Sequence, residues 1–315
     1  MAQIVYEGRQ TDLLPGETVL DALLRIDPSV PYSCRAGLCQ SCLMKATRGE
    51  VTSKSQVGLK ASWVSQGYFL PCVCVPDGDL EIAGLGNEIE STSCRIESVE
   101  RLCEDVARVR LRPDKPFHYR AGQYVSLVRE DGLSRSYSIA SLPDERLIEL
   151  HVGIVSNGQM SSWLSSGEVV GQTVSLRGPL GECFYLPEDN ASTLVLIGSG
   201  TGLAPLYGIA RDALRSGYPG QIALYHAAKS TEHHYLHDDL SQLSSESPSL
   251  RYLPVTEQAE GELLRRIMGG EHAWPESRIY LCGSPTMVNQ LRKKLYLLGA
   301  DLNRIHADAF VTRAK

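Results

Sequence analysis

The chain has 315 residues, 43% of them hydrophobic, and a net charge of −6. At roughly 100–200 residues per domain, this length predicts two or three domains with an apolar core in each. No basic stripe is present, which argues against nucleic-acid binding. No apolar run nears the roughly 18 residues a membrane helix needs, so no membrane partner is expected.

The first residues, MAQIVYEGRQTD, carry charges early and lack a long apolar run. They do not read as a secretory signal, so a cytoplasmic, thiol-reducing location is expected. Nine cysteines in such a compartment point to metal or redox chemistry rather than a disulfide framework. Residues 3–7 and 10–14 alternate around Gly8 and predict a β-hairpin. The stretch GETVLDALLRI predicts a helix, with Thr18 and Asp21 as a capping box and Val19, Leu20, Leu23 and Leu24 as its apolar face.

The next stretch, SCRAGLCQSC, places Cys34, Cys39 and Cys42 within ten residues, and Cys72 follows thirty residues on. C-x4-C-x2-C with a distant fourth cysteine is the ligand spacing of a plant-type [2Fe–2S] site, where ferric ions want soft, anionic donors. Gly37 keeps side-chain bulk away, and loop amides can bond to the sulfurs. Structural zinc normally uses two C-x2–4-C pairs, and here only Cys39 and Cys42 resemble one. Cys74 would point the same way as Cys72 on a strand and is a rival fourth ligand. Cys94, Cys103 and Cys183 read as buried apolar residues. The first 90 residues hold eleven acidic side chains against seven basic, a net of −4 that favours a basic docking partner. A linker rich in Gly, Ser and acid spans about 83 to 93.

From Cys94 to about 188, DVARVRLRP, GQYVSLV, SRSYSIAS and LIELHVGIV alternate between turns, as an antiparallel barrel would. Within RSYS, Arg135 can hold a diphosphate, Tyr137 can lie on a flavin ring, and Ser138 can bond near its N5. An exposed arginine beside a core tyrosine would look the same. Gly158-x-x-Ser161 opens a short helix whose amides suit a phosphate, and RGPLGECFYL follows at 177–186.

From about 192 the text turns to strands alternating with helices, which predicts a parallel sheet. A strand runs into GSGTGLAP, then a helix with Leu206, Ile209, Ala213 and Leu214 on one side and Gly217 at its end. Gly198, Gly200, Thr201 and Gly202 form a glycine turn that lets a pyrophosphate approach the backbone, although the spacing is not G-x-G-x-x-G. IALYHAA and SRIYLCGS read as further strands, and the latter leads into Cys282, Gly283, Pro285 and Met287. A final helix carries Val288, Leu291, Leu295 and Leu298 and stops at Gly299. Beside Lys229 and Ser230 no arginine stands ready for a 2′-phosphate, which favours NADH over NADPH. His233, His234 and His237 read as a solvated helix face rather than a metal site.

These motifs resemble two known families joined in one chain. Residues 1–88 look like a plant-type ferredoxin domain, of α+β, β-grasp class. Arg-x-Tyr-Ser, Gly-x-x-Ser and Gly-Pro-x-Gly, with Phe184 three residues after Gly181, resemble the ferredoxin–NADP reductase superfamily, as do the two later turns. The resemblance implies an FAD-binding antiparallel β-barrel at 93–188 and an NAD-binding α/β domain with a parallel sheet at 192–315. Many members carry a basic residue where Gly153 stands; His151 or Arg177 would compensate. The resemblance implies that Cys282 packs near the reacting nicotinamide, although a merely buried strand cysteine would look alike. It also implies that Phe310 covers the flavin, while the usual neighbouring Glu has no clear counterpart. The order of domains resembles the one-component reductases of bacterial oxygenases, of the benzoate dioxygenase and methane monooxygenase reductase types. It implies an enzyme that passes electrons from NADH through FAD to the cluster. The acceptor would be an oxygenase, or another protein docking on the acidic domain, and the reductase is expected to be a monomer. A free-standing flavin or ferric reductase and a sensing module without turnover are the alternatives.

Overall fold

A computed structural model of the chain describes residues 2–28, 30–32, 34–38, 40–59, 61–84, 91–187, 192–256, 261–270 and 272–310. Cys39 and linker residues 85–90 therefore lie outside the described residues.

The first unit is built from β1 (Gln3–Tyr6), β2 (Arg9–Asp12), α1 (Val19–Ile26), β3 (Met44–Arg48), α2 (Ala61–Val64), β4 (Tyr68–Phe69) and β5 (Leu80–Ala83). Glu7 and Gly8 both take positive φ, so β1 and β2 form the expected tight hairpin. Thr18 caps α1, its hydroxyl accepting from the Asp21 amide at 3.2 Å. The helix buries Val19, Leu20, Ala22 and Leu23, with Leu24 packed at the margin, over a sheet ordered β2-β1-β5-β3-β4. The central β1–β5 pair is parallel and its neighbours antiparallel, which gives the β-grasp layout.

The second unit is all antiparallel: β6 (Ser91–Cys103), β7 (Val106–Pro113), β8 (Tyr124–Val128), β9 (Ser134–Ser138), β10 (Ile148–Gly153), α3 (Gln159–Ser165) and β11 (Thr173–Leu180). The strand order is β10-β7-β6-β11-β8-β9, and a bridge between Ile139 and Leu150 brings the two edges together into a barrel. Strand β6 begins at Ser91, inside the stretch read as linker, because Ser91 and Thr92 pair with Arg177 and Leu176 of β11.

The third unit holds β12 (Thr193–Ser199), α4 (Leu203–Arg215), β13 (Gln221–Ala228), α5 (His237–Glu246), β14 (Leu250–Thr256), α6 (Glu262–Met268), β15 (Ser277–Gly283), α7 (Pro285–Leu297) and β16 (Ile305–Ala309). Its sheet is wholly parallel, ordered β14-β13-β12-β15-β16. Helix α4 ends as expected before Gly217, where the Tyr218 amide reaches back to the Ala213 carbonyl at 3.0 Å. One expectation is corrected. His234 is not on a solvated helix face: it is 6% exposed, its ring Nε2 lies 3.2 Å from the carbonyls of His226 and Val255, and it packs edge-on against His226. Docking of β14 beside β13 is what covers it.

Candidate functional site

The cysteine loop leaves α1 and returns into β3, so it sits at one end of the first sheet. Cys72 lies far away in sequence, in a short 3-10 turn at Pro71–Val73. That turn is brought under the helix by the Val19 amide, which donates to the Cys74 carbonyl at 2.9 Å. Hydrogen bonding from Cys42 holds the Cys72 thiol below its usual range against the effect of burial. The Gly37 amide helps, while charge on nearby Cys34 opposes. A second loop amide, of Ala36, donates to Cys34 Sγ at 3.3 Å. Gly37 has φ +73°, and a Cβ there would come to 3.1 Å from the Val73 side chain, so glycine eases the closing of the loop over the turn. Soft donors gathered with amides aimed at them fit a [2Fe–2S] cluster. The rival Cys74 is fully buried in the core of the first unit, 3.8 Å from the Thr52 hydroxyl.

A cleft of about 400 Å³ opens where the three units meet. The barrel contributes Arg135, Tyr137 and Ser138 from β9, His151 from β10, and Gly158 and Ser161 at the start of α3. The parallel-sheet unit contributes Thr201 and Phe310, and the cysteine loop contributes Cys34 and Leu38. Nine residues singled out from sequence thus share one cavity. The aromatic rings, the arginine and the α3 entrance fit a flavin with its phosphates. The Ser161 hydroxyl accepts from the Val155 amide at 3.1 Å and fixes the approach to α3.

His151 is buried and neutral in tendency: burial lowers its pKa, outweighing the hydrogen bond from its Nε2 to Glu149 at 2.9 Å. Burial would raise Glu149, but His151, Arg108 and Arg110 together pull it down to about 2. His151 Nδ1 is buried without a hydrogen-bond partner among the described residues. At Gly153 a Cβ would stand 3.3 Å from the Thr201 methyl, so Thr201 crowds the position. Of the two basic residues expected to compensate, His151 lines the cleft but, with its pKa lowered by burial, does not supply a positive charge, whereas Arg177 sits on β11 within electrostatic reach of Tyr6.

The predicted residues of the two later turns, Thr201 apart, do not line the cleft but lie behind it. Gly198, Gly200 and Gly202 carry β12 into α4, and Cys282, Gly283, Pro285 and Met287 carry β15 into α7. The two turns touch: a Cβ at Gly202 would fall 2.1 Å from the Cys282 carbonyl oxygen, so only glycine fits there. Ser284 caps α7 by accepting from the Met287 amide at 3.3 Å, and the Phe310 amide donates to the Gly283 carbonyl at 2.7 Å. Cys282 itself is fully buried beside Cys183, in the core shared with Leu203 and Leu206.

The structure adds cleft residues that sequence reading passed over, among them Ser136, Asn289, Arg292 and Asp308. Asp308 is an acidic residue close to Phe310. It stands two residues before the ring, beside Cys282 across β15 and β16, and burial pushes its pKa up to about 7. Its signal in the sequence is the Asp-x-Phe pair alone.

Comparison with known proteins divides the chain the same way. The 2Fe-2S iron-sulfur cluster binding domain matches residues 4–77, the oxidoreductase FAD-binding domain 93–185, and the oxidoreductase NAD-binding domain 196–293. The chain is 33% identical over 326 residues to the aromatic O-demethylase reductase subunit of Amycolatopsis sp., covering 96% of each. It is 30% identical over 311 residues to the ferredoxin–NAD(P)(+) reductase component of the naphthalene 1,2-dioxygenase system of Pseudomonas putida, covering 94% of each. Among solved structures, the Amycolatopsis cytochrome P450 reductase is 31% identical and superposes with a TM-score of 0.68, over 98% of this chain and 99% of that one. The ferredoxin reductase in carbazole 1,9a-dioxygenase is 25% identical with a TM-score of 0.67, over 98% of both. Cysteine loop, flavin cleft and paired glycine turns therefore belong to one enzyme design: the chain is a member of the flavin iron–sulfur reductase family, an oxidoreductase carrying electrons from NAD(P)H through FAD to a [2Fe–2S] cluster, akin to the reductase components of oxygenase systems.

Proposed function

We propose that this reductase takes its electrons from NADH and delivers them to an oxygenase component, or another acceptor protein, that docks on the acidic first domain. The observation that carries this reading is the shared cleft, where Cys34 and Leu38 of the cysteine loop face the same cavity as Tyr137, Ser138 and Phe310. When bound, the flavin and the iron–sulfur centre divide the two electrons of one nicotinamide into single-electron steps.

In this reading Cys34, Cys39, Cys42 and Cys72 hold the cluster. Arg135 and the Gly158–Ser161 entrance to α3 hold the FAD diphosphate, and Tyr137 and Phe310 cover the two faces of its ring. Ser138 and His151 line the edge of the ring site. The Gly198–Gly202 turn, with Thr201, takes the NADH pyrophosphate. Cys282 acts by packing, fixing the Gly283–Met287 turn against which the nicotinamide lies. The domains run from 1 to 88, 93 to 188 and 192 to 315, and the protein works as a cytoplasmic monomer. No helix among the described residues is long and apolar enough to cross a membrane.

The choice of NADH is supported at the end of β13. There the Ser230 hydroxyl donates to Glu232 and lies 2.8 Å from His233 Nδ1. A serine committed to a carboxylate is a poor partner for a 2′-phosphate, which that carboxylate also repels. Steady-state turnover with each nucleotide tests this: kcat/KM for NADH should exceed that for NADPH by at least about tenfold, or 1.4 kcal/mol. A preference for NADPH would reverse the assignment. Adding the native oxygenase should raise NADH consumption; no gain would favour a free-standing flavin or ferric reductase.

A further inference from the structure

Strand β8 alternates between the barrel core and its outer face. Val125 and Leu127 are fully buried inside, which turns Ser126 outward. Yet Ser126 is only 2% exposed. A polar group on an outer face, buried that far, needs both a cover and a partner. Both come from the cysteine loop. Ser126 sits opposite Ser136 in the β8–β9 register, and the hydroxyl of Ser41 stands between them, 2.9 Å from Ser126 Oγ and 2.8 Å from Ser136 Oγ. One hydroxyl can donate to one neighbour and accept from the other, so the trio is satisfied. Its ends lie at the chemistry: Ser41 directly precedes Cys42, and Ser136 lies between Arg135 and Tyr137 and lines the cleft. An apolar contact would hold the two units together at several registers, whereas three short hydroxyls close at only one.

We propose that Ser41 is a positioning residue, a pin that seats the cysteine loop in the Ser126–Ser136 socket and so sets the path from the flavin cleft to the cluster. The inference rests on the electron path proposed above. Oxidation of one NADH to NAD⁺ yields two electrons and one proton, and the pin holds the loop where the two electrons cross one at a time. It takes no part in binding either group and acts through the placement of Cys34 and Cys42.

Ser41→Ala and Ser126→Ala test the pin in the complete, cofactor-loaded protein; the second leaves the cysteine loop untouched should the first lose iron. Each variant is analysed for iron and sulfide per chain, for NADH-driven reduction of a dye that draws on the flavin, and for the rate at which NADH bleaches the cluster band in stopped flow. Hydrogen exchange of residues 34–42 is followed separately. The expected result is unchanged metal content and dye reduction, cluster bleaching slowed on the order of tenfold, as misplacement of reacting groups produces, and faster exchange in the loop. Unchanged bleaching in both variants overturns the pin while leaving the electron path standing. A parent protein whose cluster NADH never bleaches overturns the path and the pin with it.

Discussion

The cysteine loop of the first unit and the cysteine pair behind the nucleotide turn use one side chain in opposite ways. Cys72 and Cys183 are buried to nearly the same extent, 6% and 4% exposed. Around Cys72 stand a second thiol and a loop amide that donate to sulfur and lower its pKa. Around Cys183, the bond with Cys282 and the loss of water both push the thiol well above its ordinary value. Cys94 shows the limit of this behaviour, raised to about 12 by burial with Asp114 adding to the effect. Burial alone therefore does not set the pKa of a thiol; the groups aimed at it do, and a loop supplies amide donors where a packed core does not.

The comparison breaks most visibly at Cys39. Cys39→Ser is expected to abolish the cluster, measured as loss of iron and sulfide, while NADH-driven dye reduction at the flavin persists. If dye reduction disappears as well, the loop and the cleft are not separable steps. Tyr137→Ala comes next: FAD content after gel filtration should fall severely, and an unchanged content would remove that ring from the site. Asp308 gives a smaller, pH-dependent effect. Its carboxyl is raised from the ordinary range near 4 to about 7 by burial, so its contribution to stability is complete below about pH 4 and is lost as pH rises through about 7. The melting temperature of the native chain should therefore drop relative to Asp308→Asn between those limits; parallel curves would contradict the shift. The smallest effect belongs to the core pair. Cys282→Ala should lower stability by about 1 kcal/mol in urea denaturation through the void it leaves. It should leave iron content unchanged, in contrast to any of the loop cysteines.

Much of the site was legible because its chemistry sits in contiguous motifs. The spacing of Cys34, Cys39, Cys42 and Cys72, the Arg135–Ser138 tetrapeptide and the two glycine turns each carry their reason locally. What stayed hidden depends on contacts between distant strands. Asp308 gains its place only when β16 lies beside β15, putting it next to Cys282. His234 looked solvated because nothing near it in sequence announces that β14 will cover it. Ser41 lies 85 and 95 residues from its two partners, and no periodicity marks such a triad. The start of β6 was misplaced for the same reason: its pairing partner, β11, comes some eighty residues later.

The account turns on electrons crossing from the cleft into the cysteine loop, and anaerobic stopped-flow mixing of freshly purified protein with NADH measures that crossing directly. It should show the flavin absorbance bleaching first and the iron–sulfur band following within the same turnover. Bleaching of the flavin alone, in protein holding its full complement of iron and sulfide, would contradict it.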